Sequence, residues 1–181
     1  MSRVRWISDL HFGHKNLAVG LRKFNDIHEH DELIINNWNS VVGKKDTTYI
    51  LGDVTMESDK DYYKLDILAG RKIVVLGNHD PRINSTNGES LLNYVEAVTG
   101  MVKYKTKQYS GKVFWLTHCP MHPQEVWDKK HTIEYNIHGH IHGNLILDKN
   151  GKPDKRYINV SAEMIGYTPR TLEELISIYK L

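Results

Sequence analysis

The sequence predicts an α/β fold in which two packed β-sheets are covered by helices. Strand-like and helix-like stretches alternate through the first half of the chain, which is typical of βαβ units. The second half instead contains two hairpin signals and ends in a helix-capping signal. With 181 residues, the chain is long enough to bury roughly 70% of its unfolded surface. We therefore expect one domain over residues 1–181.

Short runs rich in β-branched and aromatic residues predict strands in the first half at residues 3–7, 48–51 and 72–76. Apolar residues with helical spacing, or a glycine behind such a pattern, predict helices at residues 31–42, 59–69 and 89–98. This order of elements favours a mainly parallel sheet with helices packed on it.

In the second half, pairs of strand-like segments flank turn residues: 102–109 and 112–117 around Ser110-Gly111, and 144–148 and 156–160 around Asn150-Gly151. Both arrangements predict β-hairpins. Near the end of the chain, Thr171 and Glu174 have the spacing of a capping box, so a final helix is expected to begin there.

The composition excludes several classes of protein. Lysine and arginine number 24 against 22 acidic residues, and a net charge of +2 is too small for a large nucleic-acid footprint, so we expect no stable nucleic-acid partner. No segment approaches the apolar length of a membrane span. The single cysteine, Cys119, excludes an internal disulfide and, with no apolar leader near Met1, predicts a cytoplasmic protein. Cys119 itself is expected to be a packed small residue.

Polar residues of the kind that bind metals follow the predicted strands: Asp9, His11, Asp53, Asn78, His118, His140 and His142. Ligands at the strand ends of an open sheet converge on one edge, where α/β sites usually lie. Asp9 and His11 are two residues apart, so in extended backbone both side chains leave the same face and can reach one cation. His140 and His142 have the same spacing.

These segments resemble the five motifs of the calcineurin-like metallophosphoesterases: Asp9-x-His11, Gly52-Asp53, Gly77-Asn78-His79-Asp80, Thr117-His118-Cys119-Pro120 and Gly139-His140-x-His142. The resemblance runs from residue 6 to at least residue 142 and is strongest to small single-domain bacterial and phage members. It implies a four-layered αββα sandwich of two mixed β-sheets flanked by helices.

The resemblance also implies a centre of two divalent transition-metal ions. Asp9, His11 and His142 would hold one ion, and Asn78, His118 and His140 the other. Asp53 would bridge them, since two close cations need a shared carboxylate to offset their repulsion. Nitrogen and oxygen ligands without thiolate suit Mn²⁺, our first choice, and also Fe, Co, Ni or Zn.

The implied activity is a metal-dependent phosphoesterase acting on a phosphodiester, nucleotide or cyclic-nucleotide-like, by in-line attack of a hydroxide held between the two ions. A phosphomonoesterase or a protein phosphatase with the same site is the alternative. A non-enzymatic interaction scaffold is an alternative of another class, and the complete ligand set argues against it. The partner expected in each enzymatic case is a small phosphoester or nucleotide, and the oligomeric state stays open.

Other residues have expected roles around the reacting phosphate. In the family pattern His79 protonates the departing alkoxide, and Asp80 would orient His79 and favour its imidazolium form. The candidates for contact with the substrate phosphate or base lie in the loops after the first and third motifs: His14, Asn16, Arg22 and Arg82.

Overall fold

The computed structural model describes residues 2–56, 59–82, 85–106, 111–126 and 133–181. Their strands are β1 (Val4–Ile7), β2 (Thr47–Ile50), β3 (Arg71–Val75), β4 (Ala97–Thr99), β5 (Val102–Lys105), β6 (Val113–Leu116), β7 (Ile133–His138), β8 (Tyr157–Asn159) and β9 (Arg170–Thr171). Within this part of the chain one sheet has the order β4-β3-β2-β1-β9, with only β9 antiparallel. The other has the order β5-β6-β7-β8, with β5 antiparallel to β6. Both sheets are mixed, which confirms the predicted fold class.

The α-helices are α1 (Ile27–Val41), α2 (Lys64–Ile67), α3 (Thr86–Leu91) and α4 (Leu172–Tyr179). The first begins four residues before the predicted Asp31, because the Asp26 carboxylate accepts hydrogen bonds from the N–H groups of His28 and Glu29. The predicted capping box is present at the start of α4, where Thr171 and Glu174 bond reciprocally. Residues 16–21 form a single π-helical turn.

The predicted helix over residues 89–98 is present only as far as Leu91, and its remaining part is wrong. Helix α3 ends at Leu91, and residues 97–99 form β4 beside β3. The N–H of Leu76 donates to the carbonyl of Thr99 over 2.8 Å, and the N–H of Glu96 donates to Lys72 over 2.8 Å. Strand pairing with an open sheet edge outweighs the modest helix propensity of the Val and Thr residues in this segment.

The second predicted hairpin is also wrong in its pairing. Strand β8 pairs in parallel with β7, the strand that precedes Gly139, rather than with residues 144–148. The turn at Asn150-Gly151 exists, but its ladder extends only from residue 146 to residue 154. The first hairpin is confirmed by the antiparallel β5–β6 pair, and its predicted turn at Ser110 lies outside the described residues.

One core joins the two sheets and brings their strand ends together. The Trp6 ring on β1 lies 5.3 Å from the Tyr104 ring on β5, edge to face. Beyond the strands, the N–H of Ser8 donates to Val160 over 2.8 Å, and the N–H of Ala162 donates back to Ser8 over 3.0 Å. The carboxyl ends of the parallel strands therefore meet along one rim, where the motif residues lie. No helix in the described ranges has both the length and the apolar character needed to cross a bilayer.

Candidate metal centre

The seven predicted ligands converge on the rim where the two sheets meet. Asp9, His11 and His142 form one compact set of possible ligand atoms, which we call the buried ligand group. Asn78, His118 and His140 form the open ligand group; here Nε2 of His118 lies 2.9 Å from Oδ1 of Asn78 and 3.2 Å from Nδ1 of His140.

Asp53 lies between the two groups. Its Oδ2 atom is 3.6 Å from Nε2 of His11 and 3.4 Å from Nε2 of His118. One carboxylate oxygen therefore faces both groups, as a bridging ligand would. Burial raises the pKa of Asp53, but the hydrogen bond and charge of His118 outweigh it, so the net shift is downward and favours the carboxylate.

The backbone at the ligand positions has an uncommon conformation. Asp9, His11, Asp53, His140 and His142 have positive φ angles of 57°, 48°, 55°, 71° and 50°. Each such residue costs on the order of 1–3 kcal/mol, and such residues cluster at functional sites. Because these residues have a left-handed backbone conformation, the alternation of an extended strand ends there and the side chains are directed to the rim.

The glycines of the motifs permit close approach of the loops. A Cβ atom on Gly52 would lie 2.5 Å from Nδ1 of His118 and 2.7 Å from the backbone of Gly77. A Cβ atom on Gly139 would overlap the side chains of Ser8 and Asp9. The glycines directly before Asp53 and His140 are therefore needed for the ligands to come together.

The buried ligand group contains buried polar atoms that have no hydrogen-bond partner among the described residues. Asp9 is fully buried and His11 is 1% exposed, and neither ring nitrogen of His11 has a hydrogen-bond partner among the described residues. Burial, opposed in part by Asp53, lowers the pKa of His11 to about 3, so its ring is neutral. A buried neutral imidazole with unpaired nitrogens beside two carboxylates is a donor set suited to a cation.

In the open ligand group, Nδ1 of His118 donates to the carbonyl of Leu51 over 2.8 Å, which directs Nε2 toward Asn78 and His140. Burial lowers the pKa of His118, but the bond and charge of Asp53 outweigh it and the net shift is upward. Cys119 is exposed, and its sulfur lies within 4.8 Å of ligand atoms of His118 and His140. The expectation that Cys119 is a packed residue is therefore wrong.

His79 and Asp80 lie differently from the prediction. The His79 ring is half-buried, 5.8 Å from the His11 ring, and its backbone N–H donates to Asp53 over 2.9 Å. The Asp80 carboxylate accepts bonds of 2.8–2.9 Å from the backbone N–H groups of Asp53, Val54 and Gly77, rather than from the His79 ring. Asp80 thus ties two ligand loops together and does not orient His79.

The four candidate substrate contacts lie in different environments. The His14 ring is half-buried and 5.6 Å from the His11 ring, whereas Asn16 is exposed at the start of the π-helical turn. Arg82 is exposed and lines a cleft of about 670 Å³ that begins at Asn78 and contains polar residues of α3. Arg22 differs from the expectation, because its side chain is only 1% exposed and is bonded to protein groups. It has no free face for a substrate.

The sequence patterns missed Glu163. Its Oε1 atom accepts a hydrogen bond from Nδ1 of His142 over 2.8 Å, and its Oε2 atom lies 2.5 Å from Nη2 of Arg22. Burial raises the pKa of Glu163, but the bond from His142 and the charge of Arg22 outweigh it and lower that pKa to about 2. One signal could have found it: Glu163 is the single charged residue between Tyr157 and Tyr167.

Two relatives match nearly the whole chain in sequence, whereas no family model matches it. MJ1445, an uncharacterised protein of Methanocaldococcus jannaschii, is 32% identical over 98% of this chain and 92% of its own length. The Gene 66 protein of Mycobacterium phage L5 is 31% identical over 92% of this chain and 89% of its own.

Among solved structures, AQ665, a protein of unknown function from Aquifex aeolicus, has a TM-score of 0.75 and 27% identity. The match covers 98% of this chain and all of that one. A novel archaeal phosphodiesterase matches with a TM-score of 0.49 and 18% identity over 88% of this chain and 82% of its own, a likeness too distant to indicate activity.

Proposed function

The chain belongs to the family of MJ1445 and the phage Gene 66 protein, and we propose that it is a metal-dependent phosphoesterase that hydrolyses a phosphodiester. The observation that carries this proposal is the convergence of the buried and open ligand groups on the single carboxylate of Asp53. The resemblance of the five motifs to metallophosphoesterases supports the same assignment.

The donor chemistry fits two divalent ions. The unpartnered nitrogens of His11 and the close approach of the His118 and His140 nitrogens are arrangements that a cation would stabilise. The buried ligand group would hold one ion and the open ligand group the other, with Asp53 shared. We propose Mn²⁺ as the ion, with Fe, Co, Ni and Zn as alternatives. When bound, such ions supply Lewis-acid polarisation of the phosphate and lower the pKa of coordinated water.

The protein's own groups would complete the reaction. His79 follows Asn78 in the chain, its half-buried ring lies 5.8 Å from the His11 ring, and its backbone N–H is bonded to Asp53. From there its ring can deliver a proton to the oxygen that leaves phosphorus, which is the step where a poor alkoxide leaving group needs help. Asp80 holds the backbone of both the Asp53 loop and the Asn78 loop, so it acts by positioning ligands.

The cleft beside Asn78 favours a diester over a monoester. A space of about 670 Å³ lined by Arg82, Ser85, Thr86 and Asn87 can take a second ester substituent, which a monoester lacks. Its polar lining and the exposed Arg82 suit a nucleotide-like group that carries negative charge. We therefore propose a small nucleotide-like phosphodiester as the substrate.

A panel assay tests this function. Protein stripped by a chelator should be inactive, and Mn²⁺ should restore turnover of aryl phosphodiesters and of linear or cyclic nucleotides. Matched monoesters with the same leaving group should give a lower kcat/KM. Full activity after verified metal removal contradicts the metal-dependent mechanism. A strong preference for monoesters or phosphoproteins would instead make the protein a phosphatase, and metal binding without hydrolysis of any ester would favour the interaction scaffold.

A further inference from the structure

Arg22 occupies a buried position directly behind the buried ligand group. Its Nη2 atom donates to the backbone carbonyl of Asp9 over 2.7 Å and to Oε2 of Glu163 over 2.5 Å. Its Nη1 atom lies 2.8 Å from Nε2 of His30. The guanidinium, whose side chain is 1% exposed, has its charge compensated by Glu163 and both Nη atoms bonded, while its Nε atom has no partner among the described residues. Arg22 thereby links the backbone of one ligand to the carboxylate that holds another.

Glu163 sets the orientation and tautomer of His142. Because Glu163 is a carboxylate, Nδ1 of His142 must carry the hydrogen in their 2.8 Å bond. The other ring nitrogen, Nε2, is then the atom free to bind a cation. A carboxylate behind a histidine ligand fixes the ring and raises its basicity, and losing such a partner typically weakens metal binding about 10- to 100-fold.

A second buried pair holds Arg22 from the opposite side. His30 is fully buried, and its Nδ1 atom donates to Oδ1 of Asp31 over 2.7 Å. Its Nε2 atom then has a lone pair that accepts from Arg22. The other oxygen of Asp31 accepts from Nζ of Lys64 over 2.6 Å and from the N–H of Gly13 over 3.1 Å.

These contacts form one continuous series of bonds, which we call the support network: Lys64, Asp31, His30, Arg22 and Glu163, ending on His142. Along it Lys64 is paired with Asp31 and Arg22 with Glu163, and the neutral ring of His30 joins the two ion pairs. The open ligand group is supported differently, by the buried carboxylate of Asp80, which accepts from the backbone N–H of Gly77 beside Asn78. His118 is held by a backbone carbonyl, and Asn78 is exposed.

We propose that Arg22 and Glu163, backed by His30 and Asp31, are positioning residues that preset the buried ligand group for its ion, so that this ion binds more tightly than the ion of the open ligand group. The proposal rests on the proposed function, because it assumes a centre of two ions. It assigns Arg22 to metal binding through Asp9 and Glu163, and not to contact with substrate.

The test is calorimetric titration of chelated protein with Mn²⁺. His142→Ala and His140→Ala identify which binding event belongs to the buried and which to the open ligand group. Glu163→Gln keeps the size of the side chain but removes its charge. Glu134→Gln is the matched control, because Glu134 makes an exposed ion pair with Lys112 on the surface. Circular dichroism checks the fold of each variant.

We expect Glu163→Gln to weaken the event that His142→Ala abolishes by about 10- to 100-fold and to leave the other event within about twofold. Arg22→Lys should weaken the same event, because one ammonium cannot reproduce the fork of bonds made by a guanidinium. If the Glu163→Gln variant fails to fold, Arg22→Lys serves as the test variant in its place. Glu134→Gln should match the parent in both events.

The result that overturns the proposal is equal weakening of both events, or no change in either, in folded Glu163→Gln or Arg22→Lys. General loosening of the structure would affect both events, so selectivity separates positioning from a merely structural role. Failure of the proposed function looks different: the parent protein would then bind no Mn²⁺ or hydrolyse no ester. A parent that binds two ions and hydrolyses diesters, with Glu163→Gln unaltered in binding, would reject only the support network.

Discussion

The buried and open ligand groups share Asp53, yet different parts of the protein hold them. Behind the buried ligand group lies the support network, in which the side chain of Arg22 is 1% exposed and His30 is fully buried. The open ligand group lies on loop ends, where His118 is anchored by the Leu51 carbonyl and Asn78 faces solvent. A series of bonded side-chain charges therefore supports one half of the centre, whereas the other half relies on backbone bonds, including those that Asp80 accepts from Asp53 and Gly77.

This difference separates two tasks of the site, which are to hold an ion and to admit a substrate. The support network bonds the backbone of Asp9 and the ring of His142 to buried side chains, so these two ligands are held in one orientation. An exposed ligand such as Asn78 can adjust when substrate enters. The cleft lined by Arg82 begins at Asn78, a member of the open ligand group. We infer that the buried ligand group mainly retains its ion and that the open ligand group meets the ester.

The largest effect is expected from Asp53→Asn, because this change removes the charge that both groups share. Activity should fall by more than the roughly 10²- to 10⁴-fold attributed to a lost general acid. Elemental analysis should show both ions depleted. In the matched variant His140→Ala only the ion of the open ligand group should be lost. An Asp53→Asn protein that retains one full ion would show that the carboxylate serves a single group.

A smaller and more selective effect is expected from His79→Ala, which leaves both groups intact. The variant should keep its Mn²⁺ but lose about 10²- to 10⁴-fold in kcat on diesters whose alkoxide leaves poorly. Nitrophenyl esters need little protonation and should lose much less. Rates over a series of leaving groups measure this dependence. An equal loss across the series would mean that His79 binds the phosphate electrostatically and does not protonate the leaving group.

The smallest effect concerns the pH dependence of stability behind the buried ligand group. The pKa of Glu163 is lowered from 4.5 to about 2 in the folded protein. The stabilisation of the folded protein by the Glu163 carboxylate is therefore present above about pH 4.5 and is lost as the pH falls toward 2. It amounts to at most about 3 kcal/mol in the free energy of unfolding. The side chain of Glu163 is 18% exposed, so solvent screening is limited.

Urea unfolding of chelated protein between pH 6 and pH 3 measures this contribution. The difference in the free energy of unfolding between the parent and Glu163→Gln should become smaller as the pH falls. The surface variant Glu134→Gln should stay close to the parent throughout, because exposed ion pairs contribute little. A gap that is constant with pH would mean that Glu163 is not held as a carboxylate by Arg22 and His142.

Predictions from local patterns succeeded where neighbouring residues decide the structure. The capping box at Thr171 formed, and so did the antiparallel pair around Gly111. Predictions failed where a distant partner decided. Residues 97–99 became a strand because β3 offered an open edge, and residues 157–159 paired with β7 instead of with their predicted hairpin partner.

The sequence by itself determined the fold class, the identity of the candidate ligands and their order along the chain. These properties are local, since each candidate ligand follows its strand by two to four residues, and a glycine directly before Asp53, Asn78 and His140 permits close approach. Only the tertiary structure decided which side chains support those ligands. Arg22 and Glu163 are 141 positions apart, and no spacing rule connects them. Their pairing arises because the ends of β1 and β8 are hydrogen-bonded together, which places both side chains behind Asp9 and His142.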